Sequence, residues 1–210
     1  MIETIDNAIQ LIVTGACTVI AFVNAVRLRE RAWTLLGLFS GIFFLGDLYW
    51  ELYLVFYRTT PRYSYIADFS WYAAYLFLIM LTVYVRKERK PFRPCHWSFV
   101  TIPVFTVGSC LFFMQRGDYA SNIVSMVLMT LILVSIAGEL FSARKDEQNG
   151  PSRRRFSFVV LLFCIAEYGM WFTSCFWAGD TIWNLYFWFD YLLSLTFILF
   201  VCSVRKVVER

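Results

Sequence analysis

The hydrophobic positions of this chain run in long unbroken blocks instead of alternating with polar ones. They span Ala8 to Val26, Trp33 to Tyr57, Tyr65 to Val85, Trp97 to Phe113, Ala120 to Ser142, Phe156 to Trp177 and Trp183 to Val204. Each block is near the roughly 20 residues that cross a hydrocarbon core about 30 Å thick as an α-helix. Strands of a membrane barrel would be about ten residues long and would alternate; these blocks are twice that length. The pattern therefore predicts an all-α integral membrane fold, one domain over residues 1–210, with seven transmembrane helices. The first block has no basic segment before it and no small-residue cleavage pattern after it, so it reads as a retained helix.

Composition sharpens this reading. Of 210 residues, 60% are hydrophobic and 16% charged, against about 25% charged in soluble domains. The cations are unevenly placed. Arg27, Arg29, Arg31, Arg86, Lys87, Arg89, Lys90, Arg93, Arg144, Lys145, Arg153, Arg154, Arg155, Arg205, Lys206 and Arg210 fall on one side of the predicted bundle. Only Arg58, Arg62 and Arg116 fall on the other. Short cation-rich loops stay in the cytoplasm, which predicts a multi-pass cell-membrane protein with its N-terminus outside and its C-terminus inside. The net charge of +4 is accounted for by this topology and by attraction to anionic lipid heads. The lipid bilayer is the expected partner, with no nucleic acid.

Cys17, Cys95, Cys110, Cys164, Cys175 and Cys202 show no CxxC spacing and read as packing residues. One His, His96, beside one of these cysteines cannot supply the four ligands of a structural zinc site, so neither metal nor cofactor is expected.

An internal repeat is legible at an offset of about 120 residues. Phe44-Leu45-Gly46-Asp47-Leu48-Tyr49-Trp50 matches Cys164-Ile165-Ala166-Glu167-Tyr168-Gly169-Met170-Trp171 with one insertion, and Tyr84-Val85-Arg86-Lys87 matches Ser203-Val204-Arg205-Lys206. Two triple-helix halves, about 1–90 and 119–210, would then flank a linker helix at about 97–113. Because the linker inverts the chain, the repeat would be parallel. Pro103 in the linker leaves a backbone carbonyl without its helical donor.

Ionisable groups deep in a bilayer cost roughly 2.5 to 3.5 kcal/mol on insertion scales and are functional candidates for that reason. Here all are acids. Asp47 and Glu167 fall mid-helix at equivalent repeat positions, and Glu51 lies one turn from Asp47. Asp68 and Asp190 are nearer the outer ends of their helices. Glu139, close to the cytoplasmic end of the fifth helix, is expected to snorkel to the interface. With no cation at comparable depth, either some carboxyls stay protonated or a cation from outside compensates them. Arg58 and Arg62 are the local alternatives, folding inward onto Asp68 or Glu51.

Aromatic residues accompany these acids at spacings of three, four and seven, which share a helix face. Trp50 follows Asp47, Trp171 follows Glu167, and Trp71, Tyr72 and Tyr75 follow Asp68, while Tyr186 and Phe187 precede Asp190. Trp97 and Trp183 fit an ordinary interfacial belt, but Trp50 and Trp171 lie deeper. Carboxylates lined by rings suit an organic cation, through ion pairing and cation–π contact.

Rhodopsins share the plan of seven helices with an external N-terminus, but the last helix has no Lys for a retinal Schiff base. The three-plus-one-plus-three plan is similar to that of small sugar and vitamin transporters, although the Pro-Gln pair of one such group is lacking. Gly46-Asp47-Leu48-Tyr49-Trp50 and Ala67-Asp68-Phe69-Ser70-Trp71-Tyr72-Ala73-Ala74-Tyr75 resemble the second and third helices of the seven-helix sensory regions of bacterial signalling proteins. With Arg210 closing the chain, that resemblance implies a separate signalling partner or a homo-oligomer. The leading expectation is a receptor-like module whose small cationic or aromatic ligand meets Asp47, Trp50, Glu51, Asp68, Trp71, Tyr72, Tyr75, Glu167, Trp171, Tyr186 and Asp190. A cation- or proton-coupled transporter is the alternative. Third is a lipid-acting enzyme with Asp47 and Glu167 as paired carboxyls, for which no nucleophile or metal motif is present.

Overall fold

The computed structural model describes residues 2–59, 65–86, 96–116, 118–143 and 150–208. Among these there are seven helices and no strand: α1 (Ile2–Leu28), α2 (Arg31–Tyr57), α3 (Tyr65–Arg86), α4 (His96–Met114), α5 (Tyr119–Ala143), α6 (Gly150–Ser174) and α7 (Leu185–Val208). All seven are long and apolar enough to cross a membrane. Helices are the form in which an isolated span satisfies every backbone donor and acceptor without water.

Where the described connections are short, the chain turns through left-handed backbone. Arg29 and Arg58 have φ of 52° and 54°, and their N–H groups return to Ala25 O and Leu54 O at 2.9 Å, closing the last turns of α1 and α2.

The boundaries differ from the sequence reading at two places that bear on the site. Helix α1 starts at Ile2 rather than Ala8, which brings Asp6 into the bundle, where it is 1% exposed. Helix α6 starts at Gly150, so Arg153 is helical and buried and does not belong to a solvated loop. Its partner is Glu139, whose carboxyl takes Arg153 Nε at 2.6 Å and Nη2 at 3.1 Å. Glu139 is 0% exposed, so it does not snorkel; a forked guanidinium offers it two parallel donors inside the protein instead.

Helices α1, α2, α3, α5, α6 and α7 pack in that order into a closed ring, with α7 returning onto α1, while α2 touches α7 and α3 touches α6 across it. Helix α4 stands outside, against α5 and against α6 through Phe105–Tyr168 and Phe112–Phe172. It continues through Pro103, and Thr130 of α5 donates to Thr106 of α4 at 2.7 Å.

One face of the bundle carries the start of α1 and the α2–α3, α4–α5 and α6–α7 connections. There Glu3 N donates to Asp180 Oδ1 at 2.9 Å, tying α1 to the α6–α7 connection. Among the described residues, Arg58 and Arg116 belong to this face. The opposite face carries Arg27, Arg29, Arg31, Arg86, Arg153, Arg154, Arg155, Arg205 and Lys206. Segment 87–95, with the remaining cations of the α3–α4 connection, lies outside the described residues.

The half of the ring nearer the cation-rich face is filled by phenylalanines. Phe39 stacks on Phe197 with centroids 5.2 Å apart and meets Phe163 and Phe200 edge-on at 5.5 and 5.3 Å. Phe43 and Phe156 extend the block, and all six rings are buried. Edge-to-face and offset pairs satisfy the ring quadrupoles, and the block fills the centre of the bundle from α2, α6 and α7.

Candidate functional site: an acid-and-aromatic cavity

Between the phenylalanine block and the cation-poor face lies a cavity of about 480 Å³, within the range of small-molecule sites. Helix α2 contributes Phe43, Asp47 and Trp50; α3 contributes Asp68, Trp71, Tyr72 and Tyr75; α6 contributes Glu167, Met170, Trp171 and Ser174; α7 contributes Tyr186 and Asp190. Glu3, Asn7 and Gln10 of α1 and Ser121 and Ser125 of α5 complete the wall, with Trp177 from the α6–α7 connection.

All the sequence-predicted site residues line this cavity except Glu51. Glu51 is half-buried with Oε2 unpartnered; one turn above Asp47, it has passed out of the cavity wall. Arg58 is exposed and so is not folded inward, and Arg62 lies outside the described residues.

The two mid-helix acids are positioned by one face of α3. Trp71 Nε1 donates to Asp47 Oδ1 at 3.2 Å, and four residues on, Tyr75 stands beside Glu167. A spacing of four stacks these side chains one above the other on a helix, so one face of α3 meets both acids. The Trp71 contact depends on Gly46: a Cβ there would lie 2.7 Å from Trp71 Nε1, so only a glycine admits the indole this close to α2. Asp47 Oδ2 faces the Thr14 hydroxyl at 3.4 Å, but that hydroxyl has one hydrogen and stands 2.8 Å from Gln10 O, the better acceptor by distance.

Unpartnered buried carboxyl oxygens are the second feature. Glu167 Oε1 and Asp190 Oδ1 have no hydrogen-bond partner, each side chain belongs to a residue 2% exposed, and both residues line the cavity. Leaving such an atom unmade costs about 1–3 kcal/mol or more, a penalty that a donor arriving in the cavity removes. Among the described residues, no Lys, Arg or His lines the cavity.

Sequence reasoning missed the α1 wall. Asp6, Gln10 and Thr14 form a buried polar stripe at steps of four in an otherwise apolar helix, a legible signal lost by starting the helix at Ala8. It also missed a smaller hollow of about 290 Å³ between α4, α5 and α6, which includes Arg116 and shares Ser121, Ser125, Trp171 and Ser174 with the main cavity. Tyr72 closes α3 onto α5 beside these serines, its hydroxyl paired with Ser121 Oγ.

No protein-family model, curated protein or solved structure matches this chain; its described residues form seven helices long and apolar enough for a multi-pass membrane protein.

Proposed function

We propose that this protein is a receptor-like membrane module that binds a small organic cation, preferably one with an aromatic or alkylated amine, in the cavity at its cation-poor face. One observation carries the reading: among the described residues, a wall holding five carboxyl residues, Glu3, Asp47, Asp68, Glu167 and Asp190, with tryptophan and tyrosine rings and no basic side chain. An ammonium group there can pair with the unpartnered oxygens of Glu167 and Asp190 while the rings of Trp50, Trp71 and Trp171 face its alkyl groups. By the positive-inside rule the cavity opens outward, with the N-terminus outside and the C-terminus in the cytoplasm.

The transporter reading is supported by the pairing of helices. Exchanging α1 with α5, α2 with α6 and α3 with α7 turns the contacts α1–α2, α2–α3, α1–α7 and α2–α7 into α5–α6, α6–α7, α3–α5 and α3–α6, each of which is present, leaving the contacts of α4 outside the exchange. Burial follows the same register. Adding 120 to the buried positions of α2 gives buried positions of α6 throughout, from Ala32 and Ser152 to Asp47 and Glu167, except that Phe39 falls on half-buried Val159. Two similar halves that can rock against each other about a central site are a transporter device, and the phenylalanine block would be its inner gate.

Binding and flux separate the readings. Thermal-shift screening of the purified protein against amines and carboxylates tests the cavity: stabilisation by amines is expected, and stabilisation by carboxylates alone would overturn the cationic-ligand assignment. Proteoliposomes with the best amine then decide the rest. Saturable binding without uptake is the receptor outcome, and uptake is the transporter outcome.

A further inference from the structure

The smaller hollow is walled by short polar stripes. Thr106 and Cys110 repeat at a step of four on α4, Ser121 and Ser125 do so on α5, and Trp171 is followed at three by Ser174 on α6, so each set shares one helix face. Although α4 stands outside the ring, its Thr106 and Cys110 are only 1% and 5% exposed. That stripe points into the protein and not at lipid. Ser121, Ser125, Trp171 and Ser174 line the hollow and the acid cavity alike. The two spaces therefore adjoin along a boundary of three hydroxyls and one indole, where a serine can donate to a passing group or accept from it. Phe113 and Tyr168 brace the indole in T-shaped contacts, with centroids 6.2 and 5.3 Å away.

The two spaces differ in charge. Among the described residues the acid cavity has no basic side chain, whereas the hollow includes Arg116. The other described cation of this face, Arg58, lines neither space. Arg116 is held by a ladder of rings: its guanidinium carbon lies 5.4 Å from the Phe176 centroid, and Phe176 meets Phe172 and Phe112 at 5.2 and 6.5 Å. A guanidinium over a ring uses its face there and keeps its in-plane N–H groups for an acceptor. The acid of the same hollow, Asp118, already takes the Ser121 N–H at 3.2 Å as the cap of α5, where the helix N-terminus offsets its charge. An incoming carboxylate is thus repelled by the five acids of the main cavity and meets a donor fork at Arg116. An ammonium is sorted the other way.

We propose that the ligand is a zwitterion, with its ammonium among the acids of the main cavity and its carboxylate beside Arg116 in the smaller hollow, the chain between them crossing the boundary at Trp171. This rests on the cation-binding reading above and narrows it from amines to amino acids whose two charges are set apart. A carboxylate can take two parallel N–H groups from one guanidinium, a contact that a simple amine lacks. Arg116 is exposed, so water screens the pair and keeps its contribution moderate.

Isothermal titration of the full-length protein in detergent tests this with ω-amino acids from β-alanine to ω-aminocaprylate, each beside the n-alkylamine and the n-alkyl carboxylate of the same chain length. One length of amino acid should bind about five- to tenfold more tightly than its alkylamine. In Arg116→Gln that ratio should fall to within about twofold, and in Arg58→Gln, which removes a charge from the same face but from neither cavity, it should persist. No preference at any length, with alkylamines binding, overturns the zwitterion and leaves the cation reading standing. A preference that survives Arg116→Gln, or collapses equally in Arg58→Gln, overturns the assignment to the hollow. Simple carboxylates binding as tightly as the amino acids would show that the ammonium contributes nothing, and silence from every series defeats the cation reading and the zwitterion together.

Discussion

Replacing Glu167 by Gln tests the cavity most directly, because it changes the charge of one atom set and almost nothing of its shape. Glu167 is 2% exposed, lies beside Tyr75 and leaves Oε1 unpartnered at the cavity wall. An ammonium about 4 Å from that carboxylate gains about 4 kcal/mol at an effective dielectric of about 20. The amide oxygen of Gln retains a hydrogen bond worth about 1 kcal/mol. The expected net loss is therefore about 3 kcal/mol, roughly a hundredfold in Kd. Trp171→Leu removes one ring contact and should cost about 0.5–2 kcal/mol, at most about thirtyfold. Asp47→Asn should fall between the two, since Trp71 Nε1 already occupies one of its oxygens. Without ligand, Glu167→Gln should melt at or above the wild-type temperature, because an unsatisfied buried acid has been replaced by a neutral group. Isothermal titration with the best amine, beside melting of the empty protein, measures both quantities. Amine affinity held within about threefold in Glu167→Gln, or a smaller loss there than in Trp171→Leu, would refute the ion-pair reasoning.

The other expectations concern packing and topology. Removing one member of the buried Glu139–Arg153 pair, as Glu139→Gln or Arg153→Met, should cost about 3–5 kcal/mol, whereas replacing both with apolar residues of similar volume should be near neutral; melting of the two single variants and the double distinguishes these outcomes. Gly46→Ala places a methyl 2.7 Å from Trp71 Nε1, so the indole must move and release Asp47. A loss of about 1–3 kcal/mol is expected, with a change in tryptophan emission, and unchanged emission would contradict it. In a cysteine-free background, cysteines at Asp180 and Glu30 report the two faces: an impermeant maleimide should label intact cells at 180 but reach 30 only after permeabilisation. Labelling at 30 from outside would reverse the topology.

The seven spans could be read from sequence because the bilayer imposes a one-dimensional rule: about 20 apolar residues in a row must form a helix whatever surrounds them. The acids were legible for the same reason, each being conspicuous in an apolar block. Helix ends were less so, since polar residues such as Asp6 and Arg153 mark an end when solvated but belong to the helix when partnered. For Arg153 that distinction depends on a residue from another helix, Glu139. Sequence spacing likewise grouped Glu51 with Asp47 but could not say where the cavity wall ends. Only the tertiary structure decided that one face of α3 meets both mid-helix acids, that α4 stands outside the ring, and that six phenylalanines close the cavity from beneath. Local pattern determines which faces of a helix can be buried; which neighbour each face meets is set by close packing among all seven helices at once, and the site exists only at that level.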